Sequence, residues 1–161
     1  MNGLKLSLQL LFSLPFLAIG VGTFSLGIHE VNSAQDSTHW PTAQGKIMVS
    51  TIEERRQTGR RNQLNTSSYY PQVRYRFFID RQRFEGDRIA YGDYGSSDRG
   101  HAERITRRYP QGKTVTVHYR PGQPQDALLE PGIQTQTWFM PGFGLIFMGA
   151  GTWVAVRALT A

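Results

Sequence analysis

The chain has 161 residues, of which 18 are Lys or Arg and 12 are Asp or Glu, so its formal net charge is +6; it contains no cysteine. The absence of cysteine excludes a disulfide framework, a thiolate zinc site and a cysteine nucleophile, and the length suits one modest domain plus membrane segments. The positive surplus favours anionic surfaces such as lipid headgroups or nucleic acid, although a basic excess is often only a solubility feature of a solvated surface.

The first apolar segment covers residues 6–28, and no charged residue lies between Lys5 and His29. A run of this length can cross a hydrocarbon core, which needs about 20 helical residues. A cleaved signal peptide is the alternative, but its apolar region usually has only about 7–15 residues. We therefore predict an uncleaved transmembrane helix over 6–28, followed by an extramembrane domain over 29–132 that opens with a polar connector, Val31–Gln44.

A first strand is predicted over Lys46–Glu54, where apolar side chains alternate with polar ones. The polar run from Arg55 to Ser68 has no apolar periodicity. It is therefore predicted to be a long loop.

The clearest strand is Tyr70–Asp80, which alternates strictly and leads into a two-residue turn at Asp80-Arg81. The register predicts four facing pairs: Ile79 with Gln82, Phe77 with Phe84, Arg76 with Glu85, and Arg74 with Asp87. Both phenylalanines then lie on the buried face, and both ion pairs lie on the other face. The return strand is predicted to run to about Ala90, with a candidate bulge at Gly86.

A short helix is predicted from Asp98 to about Arg108, with Ser97 as its N-cap and Pro110 just beyond its end. Ala102, Ile105 and Tyr109 have helical spacing and would pack on a sheet. Two more strands follow, Thr114–Tyr119 and Ala127–Leu129, separated by proline and glycine turns.

The second apolar segment, residues 136–157, is uncharged up to Arg157. Trp138 and Trp153 lie near its two ends, where interfacial aromatic residues are common. The fold class predicted is thus membrane α plus α+β: two transmembrane helices flank a small β domain of five strands and one helix. The sheet is expected to form either an OB-like barrel or an open sheet.

Several motifs resemble one family of proteins. They are Trp40-Pro41, Tyr70-Pro71-x-Val73-x-Tyr75-x-Phe77, Phe84-x-Gly86-x-x-Ile89, Tyr109-Pro110-x-Gly112-x-x-Val115-x-Val117-x-Tyr119-x-Pro121 and Leu128-Leu129-Glu130-Pro131-Gly132. The chain is similar to an uncharacterised family of small bacterial two-span membrane proteins with a β-rich extramembrane domain, known as a domain of unknown function. The resemblance implies this architecture and no reaction, ligand or catalytic residue.

No catalytic, cofactor-binding or metal-binding constellation is evident in the sequence. The histidines lack close ligand spacing, and the serines at Ser96-Ser97 lack a nucleophile motif. The one candidate site is an anionic-surface contact formed by Arg55, Arg56, Arg60 and Arg61, with a solvated loop as the alternative.

The function expected is that of a membrane-anchored, non-enzymatic interaction module; a small envelope enzyme or a ligand-sensing domain is the alternative. The positive-inside rule places both termini in the cytoplasm, because Lys5 precedes the first span and Arg157 follows the second. The protein is thus expected in the cytoplasmic (inner) membrane with its domain outside the cytoplasm. No cofactor is expected; the expected partners are the bilayer, anionic lipid headgroups and another membrane protein, and nucleic acid is disfavoured.

Overall fold

The computed structural model describes residues 2–57, 66–93 and 95–160. In chain order the elements are α1 (Asn2–Asp36), β1 (Thr42–Gln57), β2 (Thr66–Ile79), β3 (Gln82–Gly86), α2 (Arg99–Arg108), β4 (Thr114–Arg120), β5 (Gln123–Leu128) and α3 (Phe139–Thr160), with short 3-10 helices at Ser37–His39 and Thr135–Trp138. The chain divides into two compact units, one of Met1–Ala34 with Ile133–Ala161 and the other of Gln35–Gly132. The predicted architecture of two apolar helices flanking a five-stranded domain is confirmed.

Two helical segments are apolar and long enough to cross a membrane: Leu11–His39, which comprises most of α1 and the 3-10 helix after it, and Thr135–Ala158, which comprises the second 3-10 helix and most of α3. With 35 residues, α1 is about 52 Å long, well beyond the roughly 30 Å of a hydrocarbon core. The first part of the polar connector predicted over Val31–Gln44 belongs to α1, because the helix continues past residue 28 to Asp36. No glycine or proline interrupts the chain between Gly27 and Pro41, so nothing in the backbone stops the helix earlier.

Within the unit of Met1–Ala34 with Ile133–Ala161, the helices α1 and α3 pack closely at glycines. A Cβ atom on Gly20 would lie 2.6 Å from the Cγ atom of Met148, and one on Gly144 would lie 2.6 Å from the backbone nitrogen of Phe24. Small residues allow the backbones of two helices to approach one another in this way.

The β domain is an open antiparallel sheet with the strand order β3-β2-β1-β4-β5. The two edge strands, β3 and β5, lie near each other, yet no ladder joins them among the described residues. The barrel alternative is therefore not realised. Pro124 within β5 lacks a backbone N–H, which suits this strand to an edge.

The β2–β3 hairpin has the predicted register: Ile79 pairs with Gln82, Phe77 with Phe84, and Arg76 with Glu85. Asp80 and Arg81 both have positive φ, 50° and 69°, as the central residues of a type I′ turn do.

The predicted return strand was too long. The ladder ends at the pair of Tyr75 with Gly86, so Gly86 is not a bulge, and within the described residues no ion pair joins Arg74 to Asp87. A Cβ atom on Gly86 would lie 2.7 Å from the ring of Tyr75. Close packing against this ring therefore explains why position 86 is a glycine.

The core lies between the sheet and α2. Its fully buried centre includes Tyr75, Phe77 and Val117, and the ring of Phe77 stacks on both Phe84 and Tyr119 at 5.7 and 6.2 Å. As predicted, Ala102, Ile105 and Tyr109 of α2 pack towards this core. The N-cap prediction was off by one residue: Asp98, and not Ser97, caps α2, accepting a hydrogen bond of 2.8 Å from the backbone N–H of Gly100.

The first two strands form a ribbon that is longer than the rest of the sheet. β1 pairs with β4 only over Thr42–Lys46, whereas its ladder with β2 continues to the pair of Gln57 with Thr66. The predicted loop from Arg55 to Ser68 was therefore wrong at both ends, because these residues belong to strands. These strands lack apolar periodicity, and polar side-chain contacts join them instead. One is a hydrogen bond of 2.9 Å from Gln72 to Glu53.

Candidate functional site

The predicted basic site falls on the outer part of the β1–β2 ribbon. Arg55 and Arg56 occupy neighbouring positions of β1, and their side chains are 57% and 76% exposed. Arg60 and Arg61, the other two members of the predicted site, lie outside the described residues.

Each of the two described arginines is bound to a glutamate two residues earlier. The Nε atom of Arg55 lies 2.7 Å from Oε1 of Glu53, and the Nε atom of Arg56 lies 2.9 Å from Oε1 of Glu54. These hydrogen bonds lower the pKa of both glutamates. The guanidinium of Arg55 also lies 4.5 Å from the ring centre of Tyr70.

The ribbon can thus offer charged groups of both signs to a partner. Exposed ion pairs contribute little to stability, so their guanidinium groups can change partner at small cost. The individual pairs were not predicted, because sequence reasoning assigned the arginines to a loop and the glutamates to the end of the strand before it.

A second basic surface lies on α2 and the turn after it. It consists of Arg104, Arg107, Arg108 and Lys113, which we call the α2 basic surface. The side chains of Arg104, Arg107 and Arg108 are 60–68% exposed, on the side of the helix opposite the apolar stripe that starts at Ala102. Arg104 and Arg107 pair with Asp98 and Glu103 at 3.7 and 3.5 Å.

The end of α2 is bound to the chain just before it leaves the domain. Oε1 of Glu130 accepts hydrogen bonds of 2.6 Å from both Nη1 of Arg108 and the phenol of Tyr109. Burial and the bond to Glu130 together raise the pKa of Tyr109. Nζ of Lys113 donates a hydrogen bond of 2.7 Å to the carbonyl oxygen of Arg108, which stabilises the C-terminal end of the helix.

Arginines and aromatic rings alternate where the domain begins. Asp126 forms ion pairs with Arg88 and with Arg120. Arg88 lies over the ring of Tyr91 at 4.8 Å and Arg120 over the ring of Trp40 at 5.1 Å. The two rings are in edge contact, with their centres 6.4 Å apart, so Trp40 contacts both β4, through Arg120, and the loop after β3, through Tyr91. The sequence gives no sign of this cluster, because Arg88 and Asp126 are 38 residues apart.

Asp93 organises the loop between β3 and α2. Its Oδ2 atom accepts hydrogen bonds of 2.9 and 2.8 Å from the backbone N–H groups of Ile89 and Ala90. Burial raises the pKa of Asp93 although these two hydrogen bonds act in the opposite direction. The side chain therefore has a structural role that a neutral acceptor of the same shape could share.

The histidines do not converge on a metal site. Within the described part of the chain, no group of three His, Asp or Glu side chains is placed to hold a metal ion. His118 is half-buried on β4, its Nδ1 atom has no hydrogen-bond partner among the described residues, and burial lowers its pKa.

A small open sheet with one packed helix, preceded and followed in the chain by a long apolar helix, defines a class of protein: an α+β domain between two candidate membrane-spanning segments. Within that class, the chain belongs to the family described as Domain of unknown function (DUF3592), whose match covers residues 43–134. The match begins in β1, includes all of β2 to β5 and ends just before α3. No curated protein matches the chain.

Proposed function

We propose that the protein is a membrane-anchored, non-enzymatic interaction module of the cytoplasmic (inner) membrane of a bacterium. Both apolar helices are retained in it, and the β domain lies outside the cytoplasm. The orientation is supported by charges near the ends of the apolar helices: Lys5 lies near the start of α1 and Arg157 near the end of α3, whereas Glu30 and Glu130 lie on the sides that lead to the domain.

The observation that carries the proposal is the β1–β2 ribbon. Its outer part extends beyond the residues of β1 and β2 that pair with β4 and β3. It exposes Arg55 and Arg56, whose ion pairs contribute little to stability. We propose that Arg55 and Arg56, together with Arg60 and Arg61, contact an anionic group on a partner, either a lipid headgroup or an acidic face of another membrane protein.

A crosslinked pull-down from native membranes tests this proposal. The full chain and a variant with Arg55, Arg56, Arg60 and Arg61 replaced by Gln would be crosslinked and purified in parallel. We expect a discrete crosslinked partner for the unchanged chain and a reduced yield for the variant. Equal yields of crosslinked partner from both chains would contradict a role of these four arginines in the contact.

A small envelope enzyme or a ligand-sensing domain remains the alternative class. The groups best suited to it are Asp93, with its raised pKa, and the neighbouring Glu130. Both have structural partners: Asp93 binds the backbone of its own loop, and Glu130 binds Arg108 and Tyr109. This engagement supports the module over the enzyme.

A further inference from the structure

The α2 basic surface has a concentration of positive charge that the core does not need. Residues 98–113 contain five basic and two acidic residues, a net charge of +3 with histidine neutral. The apolar stripe of α2 packs on the sheet through Ala102 and Ile105. Arg104 and Arg107 on its other side therefore contribute little to holding the helix in place, whereas Arg108 binds Glu130.

When Glu130, which pairs with Arg108, is included, five basic and three acidic residues leave this region a net charge of +2, so its acidic partners do not fully neutralise it. Glu103 is shared between Arg99, at 3.1 Å, and Arg107, at 3.5 Å, and the contact of Arg104 with Asp98 is long, at 3.7 Å. Exposed pairs of this kind are weak. A phosphate group, which accepts two parallel hydrogen bonds from a guanidinium, can displace or join such a carboxylate.

Only a short stretch of chain connects this surface to the second candidate span. Arg108 and Tyr109 are both bonded to Glu130, and only residues 131–134 lie between Glu130 and the start of the second candidate span at Thr135. A short tether of this kind gives a weak binding site a high effective concentration of its ligand.

From these observations we infer that the α2 basic surface docks on anionic lipid headgroups of the bilayer that anchors the protein. The inference adds a second, lipid-binding surface to the proposed interaction module and rests on that proposal only for the membrane anchor. The α2 basic surface shares no residue with the set Arg55, Arg56, Arg60 and Arg61, so the two contacts can be removed by separate substitutions.

The expected effect of these basic residues on the docking equilibrium is large enough to measure. A basic residue near an anionic membrane surface is worth about fivefold in binding. Replacing Arg104, Arg107 and Lys113 by Gln should therefore lower the docking equilibrium by on the order of a hundredfold. Arg108 is left unchanged in this variant because it binds Glu130.

The test uses the full chain in lipid nanodiscs. The protein has no cysteine, so Gln111→Cys provides a single site for a fluorophore in the exposed turn after α2. A quencher carried on the headgroup of a trace lipid reports how often this turn reaches the bilayer surface. Discs of zwitterionic lipid alone are compared with discs that also contain an anionic phospholipid.

We expect quenching to increase when anionic lipid is present, to fall back at high salt, and to be lost in the triple variant. The control removes the same charge from exposed positions of the β2–β3 hairpin: Arg74, Arg81 and Arg83 replaced by Gln. It should retain the quenching.

Equal quenching in neutral and anionic discs, or an equal loss in the control variant, would overturn the inference. Thermal melts establish that each variant is folded. If the triple variant is unstable, Arg107→Gln alone should give a partial loss of the quenching caused by anionic lipid. A negative result here leaves the partner pull-down unaffected, so it can be distinguished from failure of the proposed function.

Discussion

The phenol of Tyr109 donates a hydrogen bond of 2.6 Å to the carboxylate of Glu130. This contact fixes the end of α2 to the segment that leads from the sheet into the second apolar helix. The same carboxylate oxygen also accepts from Arg108, so one side chain connects the helix to the exit of the domain.

Replacing Glu130 by Ala removes both hydrogen bonds and leaves the half-buried phenol without its acceptor. We expect the free energy of unfolding to fall by about 1–2 kcal/mol, since hydrogen bonds to charged groups contribute about 1.5–3 kcal/mol when buried and less when exposed. Glu130→Gln keeps a carbonyl acceptor for Tyr109 and should lose less. Denaturant unfolding of the detergent-solubilised chain measures both, and equal losses in the two variants would contradict the role assigned to the Tyr109 bond.

Phe77 is the centre of the core, fully buried and stacked between Phe84 and Tyr119. Phe77→Ala should therefore cost about 3–5 kcal/mol, a large share of the roughly 5–15 kcal/mol available to a domain. Arg76→Ala, one position away, should cost less than about 1 kcal/mol because its pair with Glu85 is exposed. A thermal melt that left the Phe77→Ala domain as stable as the Arg76→Ala domain would contradict the packing.

The glycines of α3 differ in what surrounds them, and this provides a matched pair of substitutions. Gly144→Ala would place a methyl group within 2.7 Å of the backbone of Phe24, whereas Gly149→Ala meets nothing within 4 Å. We expect Gly144→Ala to destabilise the helix pair by about 1–3 kcal/mol and Gly149→Ala to have little effect. Titration with a denaturing detergent, followed by circular dichroism, separates the two.

The raised pKa of Asp93 predicts a pH dependence. Burial favours the protonated form of Asp93 in the folded state. The contribution of protonated Asp93 to stability is therefore fully present below the ordinary pKa of an aspartate, and it is lost as pH rises through the raised pKa of the folded state. Asp93→Asn lacks this titration but keeps an acceptor for Ile89 and Ala90.

The stability of the unchanged chain relative to Asp93→Asn should therefore decline from acidic to neutral pH. Denaturant midpoints of both chains across this range measure the difference. A difference that stays constant with pH, or grows as pH rises, would contradict the assignment.

Sequence reasoning succeeded where two periodic patterns agreed. The apolar pair of Phe77 with Phe84 and the ionic pair of Arg76 with Glu85 predict one register for the hairpin, and both are present. It failed on the ribbon, because residues such as Glu53 and Gln72 stabilise a ladder through polar contacts that have no apolar period.

The candidate site was predictable only in part. The arginines of β1 stand out by composition, but their pairing with Glu53 and Glu54 depends on strand geometry. The contact of Arg108 with Glu130 joins residues 22 positions apart, and no local pattern indicates it. The connection of α2 to the exit of the domain therefore emerges only from the fold.

Accessibility of single cysteines in intact cells tests most directly whether the protein crosses the membrane twice with its β domain outside. The chain has no cysteine of its own, so one can be placed at Gln82, exposed in the hairpin, or near either terminus, at Asn2 or Thr160. An impermeant thiol reagent should label Gln82→Cys in intact cells and should label Asn2→Cys and Thr160→Cys only after lysis. Labelling of either terminus in intact cells, or of Gln82→Cys only after lysis, would contradict the proposed anchoring and orientation.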